Sequence, residues 1–474
     1  MKTLNVDVAV IGAGTAGLAA YRAAIAAGKR AVIIEGGPYG TTCARVGCMP
    51  SKLLIAAAEA AHAPARWDEF GLRLRGSVDI DGSAVMTRIK RERDRFVGFV
   101  LEGVEGIAAD DRLRGNARFI DDRTLDVDGH TAIAFGRAVI ATGSSPAIPP
   151  FLRGLGNRLI VNDDVFEWNA LPASVAVFGP GVIGLELGQA LHRLGVEVLL
   201  FGRSGHVGPF SDPEVRAYAL KTFASELALD ADADVHRVAL ADNGLAELRY
   251  RSADGAEMVR RVDYVIAATG RTPNVGRLGL GNTTIALDPR GIPLFDRRTM
   301  QCGTSAIFIA GDANHDLPLL HEAADEGKIA GENAARYPDV RPAARRTPLA
   351  VVFSDPQLAV VGARFADLVP GTFVTGEVSF ENQGRSRVML RNRGLLHVYA
   401  DIATGLLVGA EMIGPDVEHL AHLLAWAIQA QMTVTRALEM PFYHPVIEEG
   451  LRTALRDAQA RLVVPVAATL RKAA

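Results

Sequence analysis

Residues 6–17 read Val6-Asp7-Val8-Ala9-Val10-Ile11-Gly12-Ala13-Gly14-Thr15-Ala16-Gly17. The apolar, β-branched run predicts a short buried strand over 6–11, and the small-residue stretch after it predicts a helix over 16–27. A second apolar run predicts a strand over 31–35, which closes a βαβ unit. G-x-G-x-x-G between strand and helix permits a tight turn and lets the backbone approach a pyrophosphate at a helix N-terminus. Glu35 lies 18 residues after Gly17, at a strand end, where a carboxylate can bind a ribose hydroxyl. A generic glycine turn would not require that acid.

The pattern returns. A strand is predicted over 174–178, a helix over 182–194 and a strand over 196–201. Gly179, Gly181 and Gly184 repeat the offsets of Gly12, Gly14 and Gly17. In this second unit the position equivalent to Glu35 is Gly202, followed by Arg203. A carboxylate there would repel a ribose 2′-phosphate, whereas Gly plus Arg would not. The sequence therefore leans towards NADP over NAD; the alternative is that Arg203 is a solvated surface residue and NAD binds without that contact. Two dinucleotide sites on one chain imply two redox carriers, most economically a flavin held permanently and a nicotinamide that exchanges.

Between the units, helices are predicted near 51–63 and 83–104. Turn-rich, strand-like sequence then runs to 138–143, and 144–150 reads as a linker. The segment 265–271 ends the second unit, and 307–312 is a further strand ending in an acid. After the basic, Pro-containing stretch 341–348 the pattern changes to strand-like runs and one long helix over 417–431. The expected fold is α/β: two Rossmann-like dinucleotide-binding domains plus a C-terminal α+β domain. Residues 1–150 and 273–344 would form the first, 151–272 the second and 345–474 the third.

Composition bounds the function. The chain has 474 residues, enough for about three domains. It is 49% hydrophobic and 22% charged, with Lys+Arg 51 against Asp+Glu 54 and a net charge of −3. That balance argues against a nucleic-acid partner and against disorder. Three cysteines exclude a disulfide scaffold. No apolar run reaches a membrane span. The N-terminal apolar run with Lys2 in front fits strand, turn and helix better than a signal peptide, so a cytoplasmic location is expected.

Cys43 and Cys48 enclose Ala44-Arg45-Val46-Gly47. In a regular helix five residues turn about 500°, so the two side chains would point apart. The segment must be irregular for a disulfide, and Gly47 eases that. Pro50-Ser51-Lys52 opens an Ala/Leu-rich helix, whose positive end near Cys48 would favour its thiolate. A redox-active pair is expected rather than a metal site, since no second Cys/His pair lies nearby. Cys302 stands alone, as a core or surface residue. Near the C-terminus, His444-Pro445-Val446-Ile447-Glu448-Glu449 offers a proton acceptor suited to thiol chemistry, with Glu448 or Glu449 able to orient its ring.

Taken together, these residues resemble the FAD-dependent pyridine nucleotide–disulfide oxidoreductases (class I), specifically the dihydrolipoamide dehydrogenase branch, over nearly the whole chain. Gly40-Thr41-Thr42-Cys43-Ala44-Arg45-Val46-Gly47-Cys48-Met49-Pro50-Ser51-Lys52 is similar to the family's redox signature, Gly311-Asp312 to its second flavin motif, and His444 to Glu449 to its catalytic tail. The resemblance implies that Gly12, Gly14, Gly17 and Glu35 hold the adenosine half of FAD and that Asp312 binds the ribityl chain. Lys52, paired with Glu186, would sit beside the isoalloxazine, and Gly115 and Gly143 would line the flavin by backbone. Gly179, Gly181, Gly184 and Gly270, with Arg203 nearby, would serve NAD or NADP. Cys48 would face the flavin and Cys43 would meet substrate. His444 would be the acid–base and Glu449 its orienter, contributed across a homodimer.

The implied activity is electron transfer between NAD(P)(H), FAD, a Cys43–Cys48 disulfide and a small dithiol or a lipoyl domain, without metal, nucleic acid or membrane. An NADPH-dependent reductase of glutathione or another small disulfide is the nearer alternative. A non-catalytic flavin-binding thiol sensor or interaction subunit is the remote one. Ala44-Arg45 replaces the branch's usual Leu-Asn, the acid expected at 202 is missing, and Val446 and Glu448 differ from the usual tail. The stretch after Glu449 carries no cysteine, unlike the tails of mercuric reductase and large thioredoxin reductase.

Overall fold

The computed structural model describes residues 2–252 and 255–463. Among them, those of Met1–Pro50, Arg88–Ala147 and Gly270–Arg345 form one unit, and those of Ser51–Thr87, Ile148–Thr269 and Arg346–Ala474 the other.

The first unit is built on a seven-stranded sheet. Strands Arg112–Arg114, Ala31–Glu35, Lys2–Ile11, Thr131–Ile140 and Ile307–Ile309 run parallel, and Thr124–Val127 and Ala117–Phe119 extend the sheet antiparallel. From Val8 onward, alternate residues of the first strand enter different cores, and Val6 joins the core of Ala9 and Ile11. Val6, Ala9 and Ile11 pack with Val32, Ile34 and Phe119, whereas Val8 and Val10 pack with Ile33, Leu18 and Phe308. Burial on both faces accounts for the nearly continuous apolar reading of these strands. The first strand starts at Lys2, four residues earlier than expected, because residues 2–5 still pair with residues 131–134. Its helix spans Thr15–Ala26. Helix Leu320–Arg336 lies against it so closely that a Cβ at Gly327 or Gly331 would strike the backbone of Ala16 or Ala20.

The expected linker 144–150 is corrected in part. Ser144–Pro146 is a strand paired antiparallel with Arg271–Pro273. Turn-like composition hid it, since a two-stranded ribbon needs partners on one side only.

The second unit contains a five-stranded parallel sheet, ordered Ala228–Asp230, Glu197–Phe201, Ser174–Phe178, Tyr264–Ala267, Leu159–Val161. Helix Val182–Arg193 follows its central strand. The unit also holds an antiparallel three-stranded sheet and an antiparallel five-stranded sheet, the latter ordered Leu349–Val352, Gln357–Gly362, Leu407–Gly414, Leu395–Asp401, Phe373–Ser379. Helix Val417–Gln429 covers that last sheet, and so does a helix the sequence reading overlooked, Glu448–Val463. Among the described residues no helix is long and apolar enough to cross a membrane.

Candidate redox and dinucleotide sites

The two glycine turns have one geometry. Gly12 sits at φ +107°, and a Cβ there would run into the Ala141 carbonyl. Gly179 sits at φ +105° and faces the Ala268 carbonyl in the same way. Gly17 packs on the Gly12 carbonyl, and Gly184 on that of Gly179. At Gly14 and Gly181 no atom lies within 4 Å of a Cβ position. In each turn two glycines serve close packing of the chain on itself, and the middle one faces open space at the start of a helix. This is the cradle a pyrophosphate requires, so the residues present fit two dinucleotides.

Glu35 ends its strand with Oε2 accepting from Ala13 N at 2.8 Å and Oε1 accepting from Gly37 N at 2.7 Å. Its carboxylate is thereby aimed at the first turn. Gly115 N donates to the Glu35 carbonyl at 3.1 Å, and the Gly143 carbonyl accepts from Asn274 N at 2.9 Å. The Gly270 carbonyl accepts from Ala147 N at 2.9 Å. Arg203 is exposed. Beside it, a Cβ at Gly202 would lie 2.7 Å from the Ala231 carbonyl oxygen and 2.8 Å from Pro180 Cγ. The missing acid thus has a steric cause.

Asp312 follows strand Ile307–Ile309 and accepts from Ser144 Oγ at 2.6 Å. Arg271 donates to Ser144 Oγ at 2.8 Å and to the Ser144 carbonyl at 2.7 Å. The strand pair that sequence reading took for a linker therefore orients Asp312. Glu326, fully buried, holds the same turn from below: Oε2 accepts from Gly311 N at 2.8 Å and Asn314 Nδ2 at 2.7 Å, and Oε1 accepts from Arg345 at 2.8 Å. Burial pushes the Glu326 carboxyl up, with Arg345 opposing. Ser144, Arg271 and Glu326 were all missed. Only Glu326 had a signal in the sequence, its i,i+4 spacing from Glu322; that both acids meet Arg345 is visible only in the fold.

Cys43 lies in the short helix Thr42–Val46, capped by Thr41 Oγ accepting from Ala44 N at 3.3 Å. Gly47, at φ −126° and ψ −117°, breaks that helix. Cys48 is the first residue of the next, Cys48–His62, with Pro50 in its first turn. The irregularity expected between the cysteines is this break. Cys43 is half-buried and Cys48 exposed. Cys302 differs: it is 1% exposed, and burial pushes its thiol up to about 12, which leaves it an inert core residue.

In the second unit Lys52 Nζ bonds both Glu186 oxygens at 2.8 Å. His444 Nδ1 lies 3.0 Å from Glu449 Oε2 and 3.1 Å from Oε1. Of the two acids left open in sequence, Glu449 orients the ring, and this hydrogen bond holds its carboxyl below the ordinary range. His444 is itself exposed, its Nε2 directed away from Glu449.

Residues 6–327 match the family described as "Pyridine nucleotide-disulphide oxidoreductase", and residues 349–455 match its dimerisation domain. The chain belongs to this family. It is a class I flavoprotein disulfide oxidoreductase, dihydrolipoyl dehydrogenase-like, and the family binds FAD and NAD(P). Its dimerisation domain supports a homodimer.

Among relatives, dihydrolipoyl dehydrogenase of Bacillus subtilis is 29% identical over 459 residues, covering 94% of this chain and 97% of that one. Mercuric reductase of Shigella flexneri is 31% identical over 462 residues, covering 94% and 80%. The contrast with mercuric reductase drawn from the tail therefore does not extend to the body of the chain, which is as similar to that enzyme as to the dehydrogenases. Two solved structures share the fold. LpdA from Mycobacterium tuberculosis has a TM-score of 0.80 at 24% identity, covering 95% of this chain and 99% of that one. The HOCl-induced flavoprotein disulfide reductase RclA from Escherichia coli has 0.78 at 21%, covering 97% and 100%.

Proposed function

We propose that this family member is a dihydrolipoamide dehydrogenase-type enzyme that exchanges electrons between NAD(P)(H) and a small dithiol or a lipoyl group through Cys43 and Cys48. The observation that carries the reading is the cysteine pair. Cys43 lies in the first turn of the short helix Thr42–Val46, Gly47 ends that helix, and Cys48 opens the next, whose N-terminal field favours a thiolate at that position.

Gly12, Gly14, Gly17, Glu35, Gly115, Gly143 and Asp312 would hold FAD, with Lys52 and Glu186 beside its ring. Gly179, Gly181, Gly184, Gly270 and Arg203 would hold the nicotinamide nucleotide. Bound FAD supplies two-electron redox chemistry between a nicotinamide and a sulfur pair. In the oxidative direction a substrate thiolate attacks Cys43 Sγ, the Cys43–Cys48 bond breaks, and Cys48 leaves as a thiolate. The second substrate thiol gives its proton to His444 Nε2 as its sulfur attacks the mixed disulfide and expels Cys43 as a thiolate. The substrate loses two electrons, the cysteine pair gains them, and one proton rests on His444. Glu449 fixes the ring so that Nε2 is the acceptor and stabilises the imidazolium. In a homodimer, His444 would serve the cysteines of the other subunit.

Gly202 and Arg203 favour a second reading, an NADPH-dependent reductase of glutathione or another small disulfide running the same exchange in reverse. Steady-state assays with lipoamide and oxidised glutathione, each with NADH and NADPH, separate the two. Cys43→Ser and Cys48→Ser are expected to retain FAD and lose dithiol turnover. Full turnover in either variant refutes the assignment.

A further inference from the structure

His397 and Glu377 are direct cross-strand partners in the antiparallel pair Leu395–Asp401 and Phe373–Ser379, so their side chains share one face of the sheet. Glu214 stands in the first turn of helix Pro213–Ala224, in the same unit. The His397 ring is almost wholly buried, its side chain 4% exposed, while Glu214 and Glu377 are 72% and 51% exposed.

The ring is fixed from behind. Nδ1 lies 2.7 Å from Asp212 Oδ2, and Tyr399 Oη donates to the same oxygen at 2.8 Å. Asp212 Oδ1 accepts from Glu214 N at 2.9 Å and Val215 N at 3.2 Å, and Asp212 N donates to Glu411 Oε2 at 2.9 Å. An Asp carboxylate held by this many donors accepts from Nδ1–H, which leaves Nε2, at the other end of the ring, as the nitrogen available to a ligand. Nε2 is buried and makes no hydrogen bond. It lies 3.7 Å from Glu214 Oε2 and 3.8 Å from Glu377 Oε2.

Nε2 and the two carboxylate oxygens thus lie within 4.8 Å of one another. A proton on Nε2 would leave both carboxylates beyond hydrogen-bond reach. A metal ion bound at about 2.0–2.1 Å to each donor holds them about 3.4 Å apart in tetrahedral geometry; the two distances from Nε2 are a few tenths of an ångström longer than that, and the three ligand atoms all lie within 4.8 Å of one another. Two exposed glutamate side chains can close that gap by rotation. Imidazole with two carboxylates suits Zn²⁺ and its neighbours rather than Ca²⁺ or Mg²⁺, which take oxygen donors. The carboxylate behind the ring is the arrangement that orients metal-bound histidines.

We propose that His397, Glu214 and Glu377 form a site for a zinc-class divalent cation, oriented by Asp212, with water completing the coordination. The ion joins the start of helix Pro213–Ala224 to two strands of the five-stranded antiparallel sheet. The sequence expectation of no metal is set aside here, since it rested on the surroundings of Cys43 and Cys48.

The test is calorimetric titration of ZnCl₂ into metal-stripped, FAD-loaded protein, with the cysteine pair oxidised so that thiolates do not compete. One Zn²⁺ per chain is expected. Glu377→Gln and Glu214→Gln, both at exposed positions, should each weaken it at least tenfold with FAD content and dithiol turnover unchanged. Zinc should raise the melting temperature of the wild type and not of the variants. Absence of a one-per-chain site, or a site that survives both substitutions, overturns the proposal.

Discussion

Lys52 Nζ sits between the two carboxylate oxygens of Glu186 at 2.8 Å from each, with Glu186 5% exposed and Lys52 34% exposed. Glu186 also accepts from Phe353 N at 3.0 Å and Ser51 Oγ at 3.3 Å, and the ammonium lies 4.6 Å from the Phe353 ring centroid. The pair is asymmetric: the acid is buried and depends on its cation, while the cation still reaches water. Lys52→Met strands a buried anion and is expected to cost about 2 kcal/mol. That is below the ~3–5 kcal/mol for breaking a fully buried pair, because solvent already screens Lys52. Glu186→Gln leaves the ammonium partly hydrated and should cost less. Urea unfolding of the two variants checks the order, and equal losses would remove the asymmetry argument.

A second ionic cluster predicts the acid limb of stability. Arg193 donates to Glu226 at 2.6 and 3.1 Å and to Asp355 at 3.0 Å, and its side chain is 3% exposed. Burial alone would raise both carboxyls, but the hydrogen bonds and charge of Arg193, joined by Arg391 at Asp355 and Gln189 at Glu226, outweigh it and hold each below its ordinary value. With folded-state values depressed, their contribution is fully present above the unfolded carboxylate range, about pH 4, and is lost as pH falls through the folded values. Arg193→Met should lower the urea midpoint at pH 7 and flatten its decline towards pH 3. A variant with the wild-type acid slope would assign that slope to other groups.

The features legible in sequence are those with short, fixed offsets. Gly12 to Glu35 and Gly179 to Gly202 each lie within one turn–helix–strand unit, and Cys43 to Cys48 and His444 to Glu449 within six residues, so the chemistry and its spacing are read together. The missed ones join distant segments. Ser144 meets Asp312 across 168 residues and Arg271 across 127. Glu214, Glu377 and His397 come from a helix and two strands, with no local pattern to link them. Helix Glu448–Val463 was readable, since Leu451, Ala454, Leu455 and Ala458 recur at helical spacing and are buried. The cysteine-free, charged stretch drew attention to what it lacked instead.

The second turn offers a direct test of nucleotide choice. Placing an acid at 202 is the obvious route to NADH preference, and the packing forbids it: a Cβ there meets the Ala231 backbone at 2.7 Å and Pro180 Cγ at 2.8 Å. Pro180 lies inside the Gly179–Gly181 turn, so a side chain at 202 displaces the cradle itself. Gly202→Glu is expected to destabilise by about 1–3 kcal/mol, as overpacking does, and to raise KM for both nucleotides without reversing preference. Arg203 is exposed and free to be cut back without strain. If its guanidinium meets a 2′-phosphate, Arg203→Ala removes one charge-assisted contact, about tenfold in kcat/KM for NADPH, and leaves NADH within about twofold. Equal losses with both nucleotides would make Arg203 a surface residue and take away the main support for an NADPH-dependent reductase.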